Sequence, residues 1–299
     1  MFKFKNFNPG LIPSPHDPRD LLTSQIIPEI KRFPEECPQP FDLKVLNQDG
    51  KPHCVGYAGA TLKSYLEKRE RRDIVFDGDW LYKKCKEIDG HPELKGTYLR
   101  ALLKVLQKYG AKPLNGTEEE AKKYRISAYA RVDNITFDEL KKHIFVYGIV
   151  FAGFRGSNGG WKTAYLRPPK RGEKIWGHVV DLPEYSKQYI TVFNSWGEKW
   201  GDKGKGYVGS NYLPFEAWVV LVDYVPQETE EVGNFGWVAL PYLNLALAGN
   251  RGVTLYNLNL RETPYGRIIK TLPRGTLCSI LEKPVAKGKY IWVKVKTLS

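Results

Sequence analysis

The sequence predicts an α+β fold in two halves, with a separate small all-β barrel at the end of the chain. Three observations carry this. Apolar residues recur at helical spacing only in the first half of the chain. From Ile149 onward the apolar runs are short, β-rich and bounded by turn residues. Beyond an acidic stretch, Gln227 to Glu231, only short alternating strands follow. At 299 residues the chain is also long for one domain, so one large and one small domain are expected.

Residues 1–40 are a Pro-rich extension, densest at Pro13-Ser14-Pro15-His16-Asp17-Pro18-Arg19-Asp20. Proline fixes φ and bars helix continuation, so an extended segment is predicted. Its apolar residues, among them Phe4, Leu11, Ile12, Leu21, Ile26 and Phe33, need cover. The main domain spans 41–226. Val55, Ala58, Leu62, Tyr65 and Leu66 lie at helical spacing over 54–71, with basic residues at the far end, where they favour the helix dipole. A second helix is predicted from Thr97 to Tyr109, stopped by Gly110. Thr117 with Glu120, and Thr136 with Glu139, are capping boxes that each open a short helix. Strands are predicted over Ile149 to Phe154, His178 to Leu182, Tyr189 to Phe193, Gly206 to Val208 and Trp218 to Val225. A linker at 227–239 leads to the barrel at 240–299. There Leu258 to Arg261, Arg267 to Leu272, Thr276 to Leu281 and Tyr290 to Val295 read as strands. Ile291, Val293 and Val295 alternate with Trp292, Lys294 and Lys296, the pattern of a half-buried strand.

The apolar fraction of 42% suffices for a packed core, and no run of eighteen apolar residues exists to span a membrane. Met1-Phe2-Lys3-Phe4-Lys5 lacks the apolar stretch of a signal peptide, so a cytoplasmic protein, or one released by a non-classical route, is expected. Cys37, Cys54, Cys85 and Cys278 are scattered without a CxxC pair. That argues against a metal site and against a disulfide framework; one bridge between Cys37 and Cys85 stays open beside the reading of reduced, buried thiols. No cofactor is implied, and a monomer is expected. The net charge of +13 is uneven: ten basic residues against Glu262 and Glu282 give +8 from Gly236 onward. So basic a small domain fits an anionic partner, such as a cell-wall polymer or other polyanion; a solvated Lys-rich surface is the plain alternative.

One constellation carries chemistry. Gln48 stands six positions ahead of Cys54, the first residue of the first helix. Gly177-His178-Val179-Val180 follows, and then Phe193-Asn194-Ser195-Trp196-Gly197 running on to Trp200-Gly201. A thiol attacks as thiolate, so it needs a base and an imidazole held in one orientation, and a helix N-terminus lowers its pKa. Each residue alone has a plain reading: a core thiol, a turn beside a strand, an ordinary Asn-Ser-Trp. Four residue types in this order and spacing point together to a cysteine peptidase acting on a peptide or protein substrate. Asp181 is a rival orienter of His178, but three positions along an extended strand it points to the opposite face. His53 reads as a surface neighbour rather than a second base.

On these residues the stretch 40–225 resembles the papain-like cysteine peptidases. Leu81-Tyr82 through Gly90 to Gly96-Thr97-Tyr98-Leu99 resembles their bacterial branch. The resemblance implies a helical half and a β-barrel half with the cleft between. It implies Cys54 as nucleophile, His178 as base and later general acid, and Asn194 as the group orienting the imidazole. Gln48 would donate, with the Cys54 backbone N–H, to the oxyanion. His178 and Asn194 lie 124 and 140 residues beyond Cys54, against about 130 to 150 in the family. Gly96 and Thr97 would pair with a substrate backbone, and Tyr98 and Leu99 would line the pocket for the second residue before the cut. Gly177 and Val179 would flank the substrate beside His178, and Trp196 would cover the Asn194 bond. The chain departs from the pattern with Val55 where a Trp is usual and Lys51 where a partner cysteine is usual. It also carries about 30 extra N-terminal residues without a long helical pro-domain. Asn257-Leu258-Asn259-Leu260-Arg261 and Tyr290-Ile291-Trp292-Val293-Lys294-Val295 resemble a bacterial Src-homology-3-like module.

Three functions compete. The first is an endopeptidase working through an acyl-enzyme. The second is a cell-wall-directed amidase or transpeptidase targeted by the basic domain. The third is a catalytically silent peptide-binding protein, against which the intact Cys, His, Asn and Gln set argues. A further expectation concerns the extension: part of residues 1–30 lies along the cleft and restrains activity, the alternative being that it packs behind the domain.

Overall fold

The computed structural model describes residues 10–26, 33–221, 235–246, 251–273, 276–282 and 284–297. The helical half holds α1 (Cys54–Arg69), α2 (Gly78–Ile88) and α3 (Leu99–Lys108). α1 starts at Cys54 as the sequence predicts and buries Val55, Ala58, Leu62, Tyr65 and Leu66. α2 was not predicted. Its signals are Asp77, whose carboxylate caps the Trp80 N–H at 3.0 Å, and Leu81, Cys85 and Ile88 at helical spacing. α2 comes close to α1 because Gly56 has no side chain: a Cβ there would stand 2.2 Å from the Gly78 carbonyl oxygen. The Thr117–Glu120 box opens a 3-10 turn over Glu119–Tyr124 instead of an α-helix.

The barrel half contains β1 (Ala128–Arg131), α4 (Phe137–Tyr147), β2 (Val150–Gly156), β3 (Trp176–Tyr185), β4 (Ile190–Phe193), β5 (Lys205–Val208) and β6 (Glu216–Leu221). The Thr136 hydroxyl caps α4 by accepting the Glu139 N–H at 3.1 Å, as the capping box predicts. The strands form one antiparallel sheet in the order β1-β6-β2-β3-β4-β5. Side chains alternate between its faces. Val180 and Leu182 of β3 enter the barrel core with Val150, Ala152 and Phe154. Val179 of β3, Phe151 and Trp218 turn the other way and join Cys54, Leu62 and Leu99 in the core between the halves. Cys54 therefore sits where the Val179 face of β3 meets the first turn of α1, with His178 next to Val179 along the strand.

The small domain is built from β7 (Phe235–Ala239), β8 (Leu243–Ala246), β9 (Arg251–Thr254), β10 (Leu258–Arg261), β11 (Ile268–Leu272), β12 (Leu277–Ile280), β13 (Val285–Lys287) and β14 (Tyr290–Thr297). Its order is β11-β10-β7-β14-β12-β9-β8, with β13 paired to β14. β7 pairs with β14 from Phe235 on, so the sheet begins inside the stretch 227–239 expected as linker. Val238, Leu260, Val293 and Val295 fill its core. β8 lies on α4, and Leu255 enters the barrel core itself, so the domain is packed against the barrel half. The expected strand residues 222–225 lie outside the described residues.

All four cysteines are free and buried. Cys37 belongs to the barrel core and Cys85 to the helical core, so the two thiols do not form the bridge left open by the sequence. No helix among the described residues is long and apolar enough to cross a membrane, and among them no cluster of potential metal ligands occurs.

Candidate active site

Cys54 and His178 are both fully buried, one at the first position of α1 and the other on β3. No side chain caps α1 and no acid occupies its first turn. Its leading N–H groups are thus unclaimed by capping. The N–H groups of Val179, Gly10, Val55 and Cys54 itself face the sulfur. Val179 follows His178 directly, so α1 and β3 meet at the thiol.

Asn194 comes immediately after β4, which pairs with β3. His178 Nε2 stands 2.8 Å from Asn194 Oδ1. The same oxygen accepts the Ser195 N–H at 2.8 Å, which fixes the orientation of the Asn194 amide. An accepting oxygen requires the proton on Nε2, so Nδ1 is the basic nitrogen of the ring. The Trp196 ring lies 4.5 Å from the imidazole, and Trp161 and Trp176 stand edge-on to it at 5.6 and 6.2 Å. This wall of indoles keeps water from the His178–Asn194 bond. Trp196 was expected in that place; Trp161 and Trp176 were not. Trp176, two residues before His178, was a readable signal, since like His178 it faces the barrel core. Trp161 lies beyond any strand and gave none.

Gln48 is buried near the same point. Its Nε2 donates to the Lys51 carbonyl at 2.6 Å, and its Oε1 accepts the Ser195 hydroxyl at 2.7 Å. Ser195, adjacent to Asn194, thus ties the Gln48 loop to the imidazole partner, a role the sequence did not disclose. His53 is turned away: its Nδ1 meets Asp79 at 2.7 Å and its ring stacks 3.7 Å over Tyr82. Asp181 pairs in register with Phe151 and Phe193, on the face opposite His178. Burial holds its carboxyl far above the usual range.

The expected substrate residues meet a segment of the chain itself. Leu11 forms a parallel bridge with Thr97. Thr97 N–H donates to Gly10 O and Ile12 N–H to Thr97 O, each at 2.9 Å, while Leu11 N–H reaches Gly177 O at 3.4 Å. Residues 10–12 therefore lie as a strap between the two halves, over the thiol. Thr97, rather than Gly96, does the backbone pairing. The Gly96 N–H points to the Tyr82 hydroxyl at 3.2 Å, and Gly96 has to be glycine, since a Cβ would meet Gly10 O at 2.3 Å. Leu11 is 8% exposed and packs with Leu99 and Val179 in one core. Tyr98 starts α3 and its hydroxyl donates to Asp89 O at 3.2 Å. Farther on, the Asp20 carboxylate meets Arg100 at 2.6 Å with both side chains nearly buried, and Leu21, Ile26 and Phe33 pack on the barrel core. Residues 10–12 lie between the two halves, and the segment beyond them packs along the barrel.

Under the strap, burial pushes the Cys54 thiol up to about 11, against the pull of the surrounding N–H groups. Burial brings His178 down to about 4, opposed by its bond to Asn194. In the closed site burial thus keeps both the thiol and the imidazole neutral.

Comparison with solved structures places this architecture. Xylellain, a cysteine protease from Xylella fastidiosa, superposes with a TM-score of 0.65 over 73% of this chain and 97% of its own, at 20% identity. The fold is papain-like. ProCathepsin B from Trypanosoma congolense (TM-score 0.58, 14% identity, 71% of this chain and 85% of its own) shares it. So does a digestive procathepsin L2 proteinase from Tenebrio molitor (0.55, 17%, 73% and 79%). In sequence, an uncharacterized peptidase C1-like protein of Acanthamoeba polyphaga mimivirus is 28% identical over 273 residues, covering 72% of this chain and 86% of that protein. No family model matches the chain.

Proposed function

We propose that the chain is a cysteine endopeptidase whose cleft is closed by its own N-terminal strap. One observation carries this: His178 Nε2 is held by Asn194, and the backbone of Val179, the residue after His178, reaches the thiol that opens the uncapped helix α1. Xylellain, a protein of the same fold that is named a cysteine protease, supports it. When residues 10–12 leave, water reaches the site and the burial that holds the thiol neutral is relieved. The Cys54 proton passes to His178 Nδ1, and sulfur attacks the carbonyl carbon of a peptide bond. The oxyanion receives the Cys54 N–H and the second Gln48 Nε2 hydrogen, the one not given to Lys51. His178 then protonates the departing amine. Water, deprotonated by His178, hydrolyses the thioester and restores the thiol.

Thr97, Gly177 and the Leu99 surroundings, which now hold Gly10, Leu11 and Ile12, would receive the substrate backbone and an apolar side chain. Because Leu11 fills the place beside Leu99, a leucine-sized residue fits there. The basic C-terminal domain, read as Src-homology-3-like, would bring the enzyme to a polyanion. Incubation with an epoxide inhibitor of papain-like enzymes, followed by intact mass, tests the reading. One adduct on Cys54 is expected; a strap-opened protein that folds and takes up none would show that the site does not react.

A further inference from the structure

We propose a second site, at the far end of the barrel half: a tyrosine-walled pocket for the ammonium or guanidinium group of a basic peptide side chain. The pocket has a volume of about 310 Å³. Tyr165, Tyr189 and Tyr207 line it, with ring centroids at the corners of a triangle of sides 5.4, 5.5 and 6.4 Å. A cation held within about 6 Å of a ring centroid is attracted by the negative face of the ring. The rings pack on one another edge-on or tilted and form one continuous aromatic wall, over whose open side a cation can be held. Tyr165 is 62% exposed at the mouth, packed on Tyr189 and Tyr207 and open to solvent beyond them.

The lining also has a sign. Glu36 and Glu184 line the pocket and no lysine or arginine does, on a protein whose net charge is +13. Glu184 is already occupied, by Lys205 at 3.1 Å and by the Gln39 N–H at 3.0 Å. Glu36 has no ion-pair or hydrogen-bond partner among the described residues and is exposed. It is the carboxylate free to meet a charge. The Tyr207 hydroxyl donates to Asp202 at 2.8 Å, and the Tyr185 hydroxyl donates to the Pro34 carbonyl at 3.0 Å. With those hydroxyls engaged, these two walls offer a ligand ring and not a donor. Rings plus an uncompensated carboxylate suit a cation better than a sugar or a proline, for which the carboxylate adds nothing.

β3 connects this pocket to the cleft: His178 lies near one end of the strand and Glu184 and Tyr185 at the other. At about 3.3 Å per residue that is about 20 Å. A lysine or arginine on an extended peptide six or so residues from the cleft could occupy the pocket. The site stands independently of the role of Cys54.

Nα-acetyl-lysine methylamide is the probe, and its Nε-acetylated counterpart the neutral control. Ring signals of Tyr165, Tyr189 and Tyr207 are followed by NMR in the full chain. The lysine probe should give saturable shifts of these rings, at least about tenfold stronger in affinity than the acetylated probe. Tyr165→Ala, at an exposed ring, should keep the fold and weaken binding about tenfold or more. Glu36→Gln should weaken the lysine probe severalfold and leave the neutral one unchanged. Equal response to both probes would mean an aromatic surface without charge selection and would overturn the proposal. So would wild-type binding by Tyr165→Ala, or the absence of saturable shifts.

Discussion

Replacing Gly10 by alanine separates the strap from the fold as the cause of closure. A Cβ at position 10 would stand 2.0 Å from the Pro52 carbonyl oxygen and 2.5 Å from its carbon. Both are backbone atoms, so no side-chain rotation relieves the clash. Residues 10–12 are held by burial of Leu11, about 1.5 to 3 kcal/mol, and by two backbone bonds to Thr97, about 0.5 to 1.5 kcal/mol each. Overpacking costs about 1 to 3 kcal/mol. An intermediate cost of about 2 kcal/mol would raise the open fraction about thirtyfold. The later anchors, Asp20 on Arg100 and Phe33 between Phe145 and Tyr185, are untouched, so the fold should persist. This is why a point change is preferable to deletion through Phe33, which would uncover the barrel core. The assay is the second-order rate of epoxide modification of Cys54, read by intact mass. A Gly10→Ala protein with unchanged melting that labels at the wild-type rate would refute the strap as a restraint.

Asn194→Ala should lower turnover less than loss of the thiol does, because orientation is weakened while thiol and base remain; wild-type turnover would assign the orienting role elsewhere. Asp181 has a raised folded pKa, so its contribution to stability is complete below the unfolded value near 3.9 and is lost as pH rises. Asp181→Asn should therefore be more stable than wild type at about pH 7 and gain little near pH 4; an equal gain at both would contradict the buried, neutral carboxyl. Lys287→Glu with Lys289→Glu, on exposed positions of the β13 turn, should weaken binding to a polyanion such as heparin. That binding should also fall steeply with salt, since exposed charges are screened within about 10 Å at 0.1 M. Salt-independent binding, or none, would leave the small domain a packing role against α4.

The sequence pointed to the four candidate residues because each role proposed for them needs its residue type and its place on an element. Cys54 heads an apolar helical stripe, and His178 and Asn194 occupy a strand and the end of its neighbour. Period-2 alternation correctly set Asp181 on the far face of β3. What stayed hidden depends on contacts distant in sequence. Ser195 reaches Gln48 across 147 positions, and Trp161 reaches the imidazole from a loop. Gly10 looks like any turn glycine until Pro52 and Gly96 are seen pressed against it. Prolines predicted an extended segment, but only the fold shows which three residues enter the cleft. α2 was missed because its cap, Asp77, drew no attention and its short apolar stripe was read, from Leu81 on, only as part of a family motif.

The most direct measurement is trapping of the acyl-enzyme. Gly10→Ala protein is mixed with an activated peptide ester carrying leucine at the second position before the scissile bond, quenched in acid and weighed. The expected result is a mass increase equal to the acyl part, located on Cys54 by digestion and absent from the Gly10→Ala, Cys54→Ala double variant, which should fold normally and cut nothing. Cleavage by that double variant at the rate of its parent would show that Cys54 is not the nucleophile.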